Sequence, residues 1–130
     1  MRVMYVDECL SLGPAGVLAE VARVCGDAPT YLTFDIDALD PAYAPGTGTP
    51  EVGGLSTHFA QQLLRGLGTP TAAQPANVGV DLVGCDLVEV SPPFDAANIT
   101  CLTAANLLFE MLCVAVQAET RRRGAAAAAA

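Results

Sequence analysis

Apolar and polar positions fall into short runs of two periods along this chain. Arg2 to Val6 reads as a short buried strand. Gly13-Pro14 opens a helix that runs to about Cys25, with Val17, Leu18, Val21 and Val24 on one face. Gly26-Asp27 ends it. Thr30 to Asp35 is a second strand, and residues 38–54 form a long Gly/Pro loop. Loops of that length without structure of their own are usually functional. Ser56 caps a helix that reaches about Leu67. Gly68 to Asn77 is a polar surface loop. Val78 to Val90 holds a third strand, best formed from Leu82 to Val90, and Ser91-Pro92-Pro93 stops it. A long helix follows from Thr100 to about Arg122, with Arg121, Arg122 and Arg123 suiting the dipole at its C-terminus. Ala125 to Ala130 reads as a frayed low-complexity tail. Strands alternating with helices predict an α/β domain with a parallel sheet and helices on its faces. Three strands are few for such a sheet.

Composition narrows the function classes. The 130 residues fit one domain, and 52% hydrophobic residues indicate a packed core. The net charge is −8, with no lysine, which argues against nucleic-acid phosphates and weakly favours small cations. No uninterrupted apolar run reaches the ~18 residues that span a bilayer, so no membrane partner is expected. Asp7 and Glu8 interrupt any signal-peptide pattern at the start. Cys9, Cys25, Cys85, Cys101 and Cys113 lack C-x-x-C spacing and suit a reducing compartment, cytoplasmic or mitochondrial. A cysteine nucleophile lacks support, because His58 is the only histidine.

The candidate chemistry lies where the second strand stops. Thr33-Phe34-Asp35-Ile36-Asp37-Ala38-Leu39-Asp40-Pro41 places three carboxylates after an apolar run. On a strand Asp35 and Asp37 share a face, about 6–7 Å apart. Two carboxylates so close repel, and a hard divalent cation relieves them. Strand-end capping or turn formation is the alternative for this pair. Asp40 before Pro41 suits an Asx-turn, as a loop organiser. Glu89 stands in the apolar frame Leu87-Val88-Glu89-Val90, where it needs a partner. An internal salt bridge is the alternative reading. Thr49 and Glu51 lie on the loop near the cleft, and His58 reads as structural or exposed.

Two longer motifs decide between these readings. F-D-I-D-A-L-D-P-A-Y-A-P-G-T-G-T-P-E-V-G-G-L and the later D-L-V-E-V-S-P-P-F-D occur in order. Together they resemble the ureohydrolase (arginase/agmatinase) family, nearest its agmatinase and guanidinobutyrase branch. The resemblance implies a three-layer α/β/α fold with a central parallel sheet, present here only in part, as a C-terminal half over residues 1–124. Residues 68–77 then look like an insertion. It implies a binuclear manganese (Mn2+) cluster, with Asp35 as bridging carboxylate and Asp37 as terminal ligand. Glu89 would hold the substrate guanidinium, and Asp86 and Asp40 would support the site from behind. The implied reaction hydrolyses agmatine or 4-guanidinobutyrate to urea and an amine, in a homo-oligomer of the full-length protein. The family's G-G-D-H-S and D-A-H-x-D segments do not occur. The chain by itself is therefore expected to be inactive, as part of a longer enzyme. The competing expectation is a non-catalytic chain that binds and modulates a full-length relative.

Overall fold

The computed structural model describes residues 1–129. Helix α1 covers Val6–Cys25, strand β1 Thr30–Asp35, helix α2 Thr57–Gly66, strand β2 Leu82–Val88 and helix α3 Ile99–Ala128. Short 3-10 turns lie at Ile36–Ala38 and Pro92–Phe94.

Helix α1 is two segments joined at Gly13, whose φ of 66° and ψ of 173° break the helical path. Pro14 then starts the second segment, where its fixed φ and missing N–H cost nothing. Val17 and Leu18 bury into the core, and Gly26 (φ 53°) ends the helix with its N–H on the Ala22 carbonyl at 2.9 Å. The predicted strand at Arg2 to Val6 is not one. Met1–Tyr5 carries no regular element, and Val6 already belongs to α1. An apolar run becomes a strand only beside another strand, and none pairs with it among the described residues.

Strands β1 and β2 pair in parallel, with Thr33 opposite Asp86 and Asp35 opposite Val88. A register shift at Thr30/Tyr31 leaves Val83 without a partner. Leu32 and Phe34 of β1, with Cys85 and Leu87 of β2, pack on the core. That core joins Leu18 of α1, Ala60 and Leu64 of α2, and Leu107, Met111 and Val114 of α3. The other sheet face carries Tyr31, Thr33, Asp35, Asp86 and Val88. Tyr31 there is 61% exposed. The α/β class with a parallel sheet holds, incomplete as expected. Among the described residues it is two strands under one helical layer.

Local signals set α2 and part of α3. Ser56 Oγ accepts the Phe59 N–H at 3.1 Å, capping α2. Arg65 ties α2 to α3 through Glu110, Nε to Oε1 at 2.9 Å. Helix α3 runs past the arginines to Ala128, since alanine is the strongest helix former. The predicted frayed tail is thus helical from Ala125 to Ala128, and its last residue, Ala130, lies outside the described residues. Arg121 and Arg122 do more than face the dipole. Arg121 donates to the carbonyls of Gly79 and Val80 at 2.9 and 2.7 Å, and Arg122 pairs with Asp81. Averaged over 18 residues, α3 reaches a mean hydropathy of 1.9, so it is long and apolar enough to cross a membrane by length and composition. Counting uninterrupted apolar runs missed this, because Thr103, Asn106 and Glu110 break the run without lowering the average much. In this fold α3 is the helix that covers β2 and α2, and Leu107, Met111 and Val114 are its buried face.

Candidate active site

The C-terminal end of the sheet gathers the predicted site residues. Strand β1 stops at Asp35, which serves as the cap of the following 3-10 turn. Its Oδ1 accepts the Asp37 N–H at 3.1 Å. Asp37 therefore stands in the turn, not on the strand, and the same-face strand geometry expected for the pair does not apply. The turn itself brings them together. Thr49 reaches back across the loop, and its Oγ1 donates to Asp37 Oδ2 at 2.6 Å. Thr49 was flagged in the sequence only by its nearness to the cleft; this contact gives it a place.

Asp40 organises the loop as predicted. Its Oδ1 accepts the Ala42 N–H at 2.9 Å and its Oδ2 the Gly53 N–H at 2.8 Å. These amides hold its carboxyl below the usual range. The loop closes on itself where Asp40 N–H meets the Leu55 carbonyl at 3.0 Å and Leu55 N–H the Ala38 carbonyl at 2.9 Å. Gly54 fits only as glycine, because a Cβ there would lie 2.5 Å from the Asp40 nitrogen.

Glu89 follows β2 directly, one residue past Val88, the partner of Asp35. It is exposed and adopts a φ of 65°, unusual for a residue with a side chain. Asp37 and Glu89 thus lie on either side of Asp35 at this end of the sheet, and among the described residues no arginine pairs with any of the three. Partial burial pushes the Asp35 carboxyl up, and the Asp37 and Glu89 charges push the same way against the pull of the Asp37 amide. As hard oxygen donors, Asp35 and Asp37 fit a divalent ion such as manganese. They supply only part of a shell: among the described residues no three His, Cys, Asp or Glu side chains converge to hold a metal.

Asp86 sits further back on the outer face of the sheet. Its Oδ2 accepts the Tyr31 hydroxyl at 2.8 Å, and its Oδ1 is buried without a partner. The Thr33 and Tyr31 hydroxyls hold its carboxyl below the usual range. The Tyr31 bond runs within the sheet, not to Asp35, Asp37 or Glu89. His58 stands exposed in the first turn of α2. Beside Asp37 a cavity of about 330 Å³ is lined by Met4, Cys9, Glu51, Val52 and Leu55 among others. Burial pushes the Cys9 thiol up. Met4 and Cys9 were not anticipated there, and no local pattern marks them, because the approach of the first segment to the loop is a tertiary event.

A further set of contacts fastens the loop to α3. Gly46 N–H donates to Thr100 Oγ1 at 2.7 Å, and the Gly46 carbonyl accepts the Ser91 N–H at 2.8 Å. Asp95, 4% exposed, accepts the Thr100 and Cys101 N–H groups at 3.1 and 2.8 Å. Burial pushes the Asp95 carboxyl up, but these N–H groups outweigh it and hold it low.

A parallel sheet with paired carboxylates and a closed Gly/Pro loop at its C-terminal end, covered by helices, defines an α/β-class protein. The arginase family's sequence pattern matches residues 1–113, and the chain belongs to that family. It is 50% identical over 121 residues to a guanidinopropionase of Pseudomonas aeruginosa, covering 93% of this chain and 35% of that protein. It is 51% identical over 113 residues to a guanidinobutyrase of the same organism, covering 87% of this chain and 32% of that one. The crystal structure of a hypothetical agmatinase from Burkholderia thailandensis superposes with a TM-score of 0.80 at 40% identity, over 95% of this chain and 36% of that chain. The chain spans about a third of the length of the curated relatives it matches.

Proposed function

We propose that this chain supplies part of the active site of a manganese-dependent hydrolase of linear guanidino compounds. The observation that carries the reading is the placement of Asp35 and Asp37 in one turn at the C-terminal end of the sheet, with Glu89 one residue past Val88, the partner of Asp35, and no arginine paired with any of them among the described residues. The substrates named for the relatives, guanidinopropionate and guanidinobutyrate, and agmatine share the guanidinium that such carboxylates suit.

Asp35 and Asp37 would hold the metal. When bound, manganese supplies Lewis acidity that lowers the pKa of water towards neutrality. The chain's own residues do the rest. Glu89 accepts the guanidinium N–H groups, whose planar donor fork matches a carboxylate. Thr49 fixes the second oxygen of Asp37. Asp40 keeps the loop closed around both. Water adds to the guanidinium carbon, the bond from that carbon to the alkylated nitrogen breaks, and urea and an amine leave.

Manganese binding by the purified chain, read by electron paramagnetic resonance, tests the site. Weak binding that the double substitution D35N/D37N removes supports it; binding that survives the substitution sinks it. Manganese-dependent urea release by the chain itself would show that the site is not partial. A second reading, a non-catalytic partner of a full-length relative, is favoured by the incomplete donor set among the described residues. Co-purification with such a relative, unchanged by D35N/D37N, would select it.

A further inference from the structure

Strand β2 turns Leu87 towards the core and leaves Val88 exposed. Continued alternation would send Glu89 inward beside Cys85 and Leu87, where an unpaired carboxylate is costly. The left-handed backbone at Glu89 prevents this. It leaves Glu89 exposed and returns Val90 to the core. Such a conformation is strained for a residue with a Cβ, and it persists only where its surroundings impose it.

Those surroundings are fixed on both sides. The ladder with β1 holds Val88 opposite Asp35. Just past Val90, the Ser91 N–H is held by the Gly46 carbonyl at 2.8 Å. Gly46 is itself held by Thr100, a residue with no exposed surface at the start of α3. The fit at Gly46 leaves no slack, since a Cβ there would lie 2.5 Å from Asp95 Cβ and 2.9 Å from Thr100 Oγ1. Only Glu89 and Val90 lie between the two anchors.

We propose that Gly46 and Thr100 form a clasp that holds Glu89 in its left-handed conformation, and so keeps its carboxylate at the mouth of the site beside Asp35. They are positioning residues that act through Glu89. The proposal rests on the proposed function only for what the carboxylate does; the strain and its restraint stand apart from it.

The test is equilibrium unfolding of the whole chain, without metal or substrate. Glu89→Gly and Glu89→Ala both remove the carboxylate and differ only in backbone freedom. In a left-handed position glycine is free and alanine strained, so the folding constant of Glu89→Gly is expected to exceed that of Glu89→Ala about fivefold. Adding Thr100→Val releases the clasp, and the advantage disappears; adding Thr100→Ser, which keeps the hydroxyl, preserves it. Equal stability of the two Glu89 variants overturns the proposal, as does an advantage unchanged by Thr100→Val. Should Thr100→Val fail to fold, hydrogen exchange in the unsubstituted chain and its Thr100→Ser variant decides. Slow, matched exchange of the Gly46 and Ser91 amides in both supports the clasp; free exchange of either amide in the unsubstituted chain overturns it. Neither readout needs manganese, so failure of the proposed metal site would leave this result standing.

Discussion

Two turns at the end of the sheet carry the candidate site, and they are held by different means. The Asp35 turn is held by contacts within itself and the loop that follows it. Asp35 accepts the amide two residues on, and Asp40 does the same for Ala42. The Glu89 turn is held from afar, through Gly46 and Thr100, which are 54 residues apart. The first turn relaxes into ordinary backbone angles; the second holds a left-handed glutamate. A turn made of its own residues can form early and survive local change. A turn made by a clasp depends on the whole fold being closed.

The largest effect expected to separate the two turns comes from Gly46→Ala. Its added Cβ overlaps buried Asp95 and Thr100, and overpacking of this kind costs about 1–3 kcal/mol. Denaturant unfolding measures the cost. Hydrogen exchange should show Ser91 deprotected and Gly53 unchanged; joint loss would mean that the two turns are one unit.

Acid comes next. Asp40 in the first turn and Asp95 beside the second both have carboxyls held low. A depressed carboxyl contributes stability that is complete above its unfolded value of about 4 and is lost as pH falls through the folded value. Asp35 runs the other way: its raised carboxyl weakens the fold as pH rises through that value, and acid relieves it. The metal-free chain should therefore lose stability below about pH 4, with Asp40→Asn blunting the loss at the first turn. A pH titration followed by circular dichroism checks this, and a flat profile from pH 5 to 2 would contradict it.

Thr49→Val should cost roughly 0.5–1.5 kcal/mol, the net worth of one hydrogen bond. It should also weaken manganese binding without moving the Ser91 amide. The smallest expected effect is that of Asp35→Asn, a slight gain in metal-free stability from removing a crowded charge, reversed when manganese is present. Thermal melts with and without the ion measure it; a loss in both conditions would mean that Asp35 is needed as a cap more than it is crowded.

Much of this was legible because it is local. The β1 boundaries, the Ser56 cap, the Asp40 turn and the pairing of Asp35 with Asp37 all follow from residues within a few positions of one another. Hydrophobic periodicity placed the three helices, and it failed at Arg2 to Val6, where an apolar run has no strand to pair with. The same-face geometry expected for Asp35 and Asp37 would need a strand through both, and the carboxylate of Asp35 turns the chain before Asp37. Glu89 was legible as a costly residue in an apolar frame, but its left-handed backbone was not.

The sequence by itself therefore determined the kinds of elements, the carboxylates and the family motif, since composition, period and short-range hydrogen bonding act along the chain. Tertiary structure alone decided which groups meet across it: Thr49 with Asp37, Met4 and Cys9 with the loop, Tyr31 with Asp86, and Gly46 with Thr100. A run of residues records how much of each is buried, but not against what. Partners distant in sequence are chosen only when the core closes, because only then does each buried amide and hydroxyl have to find its bond within the protein.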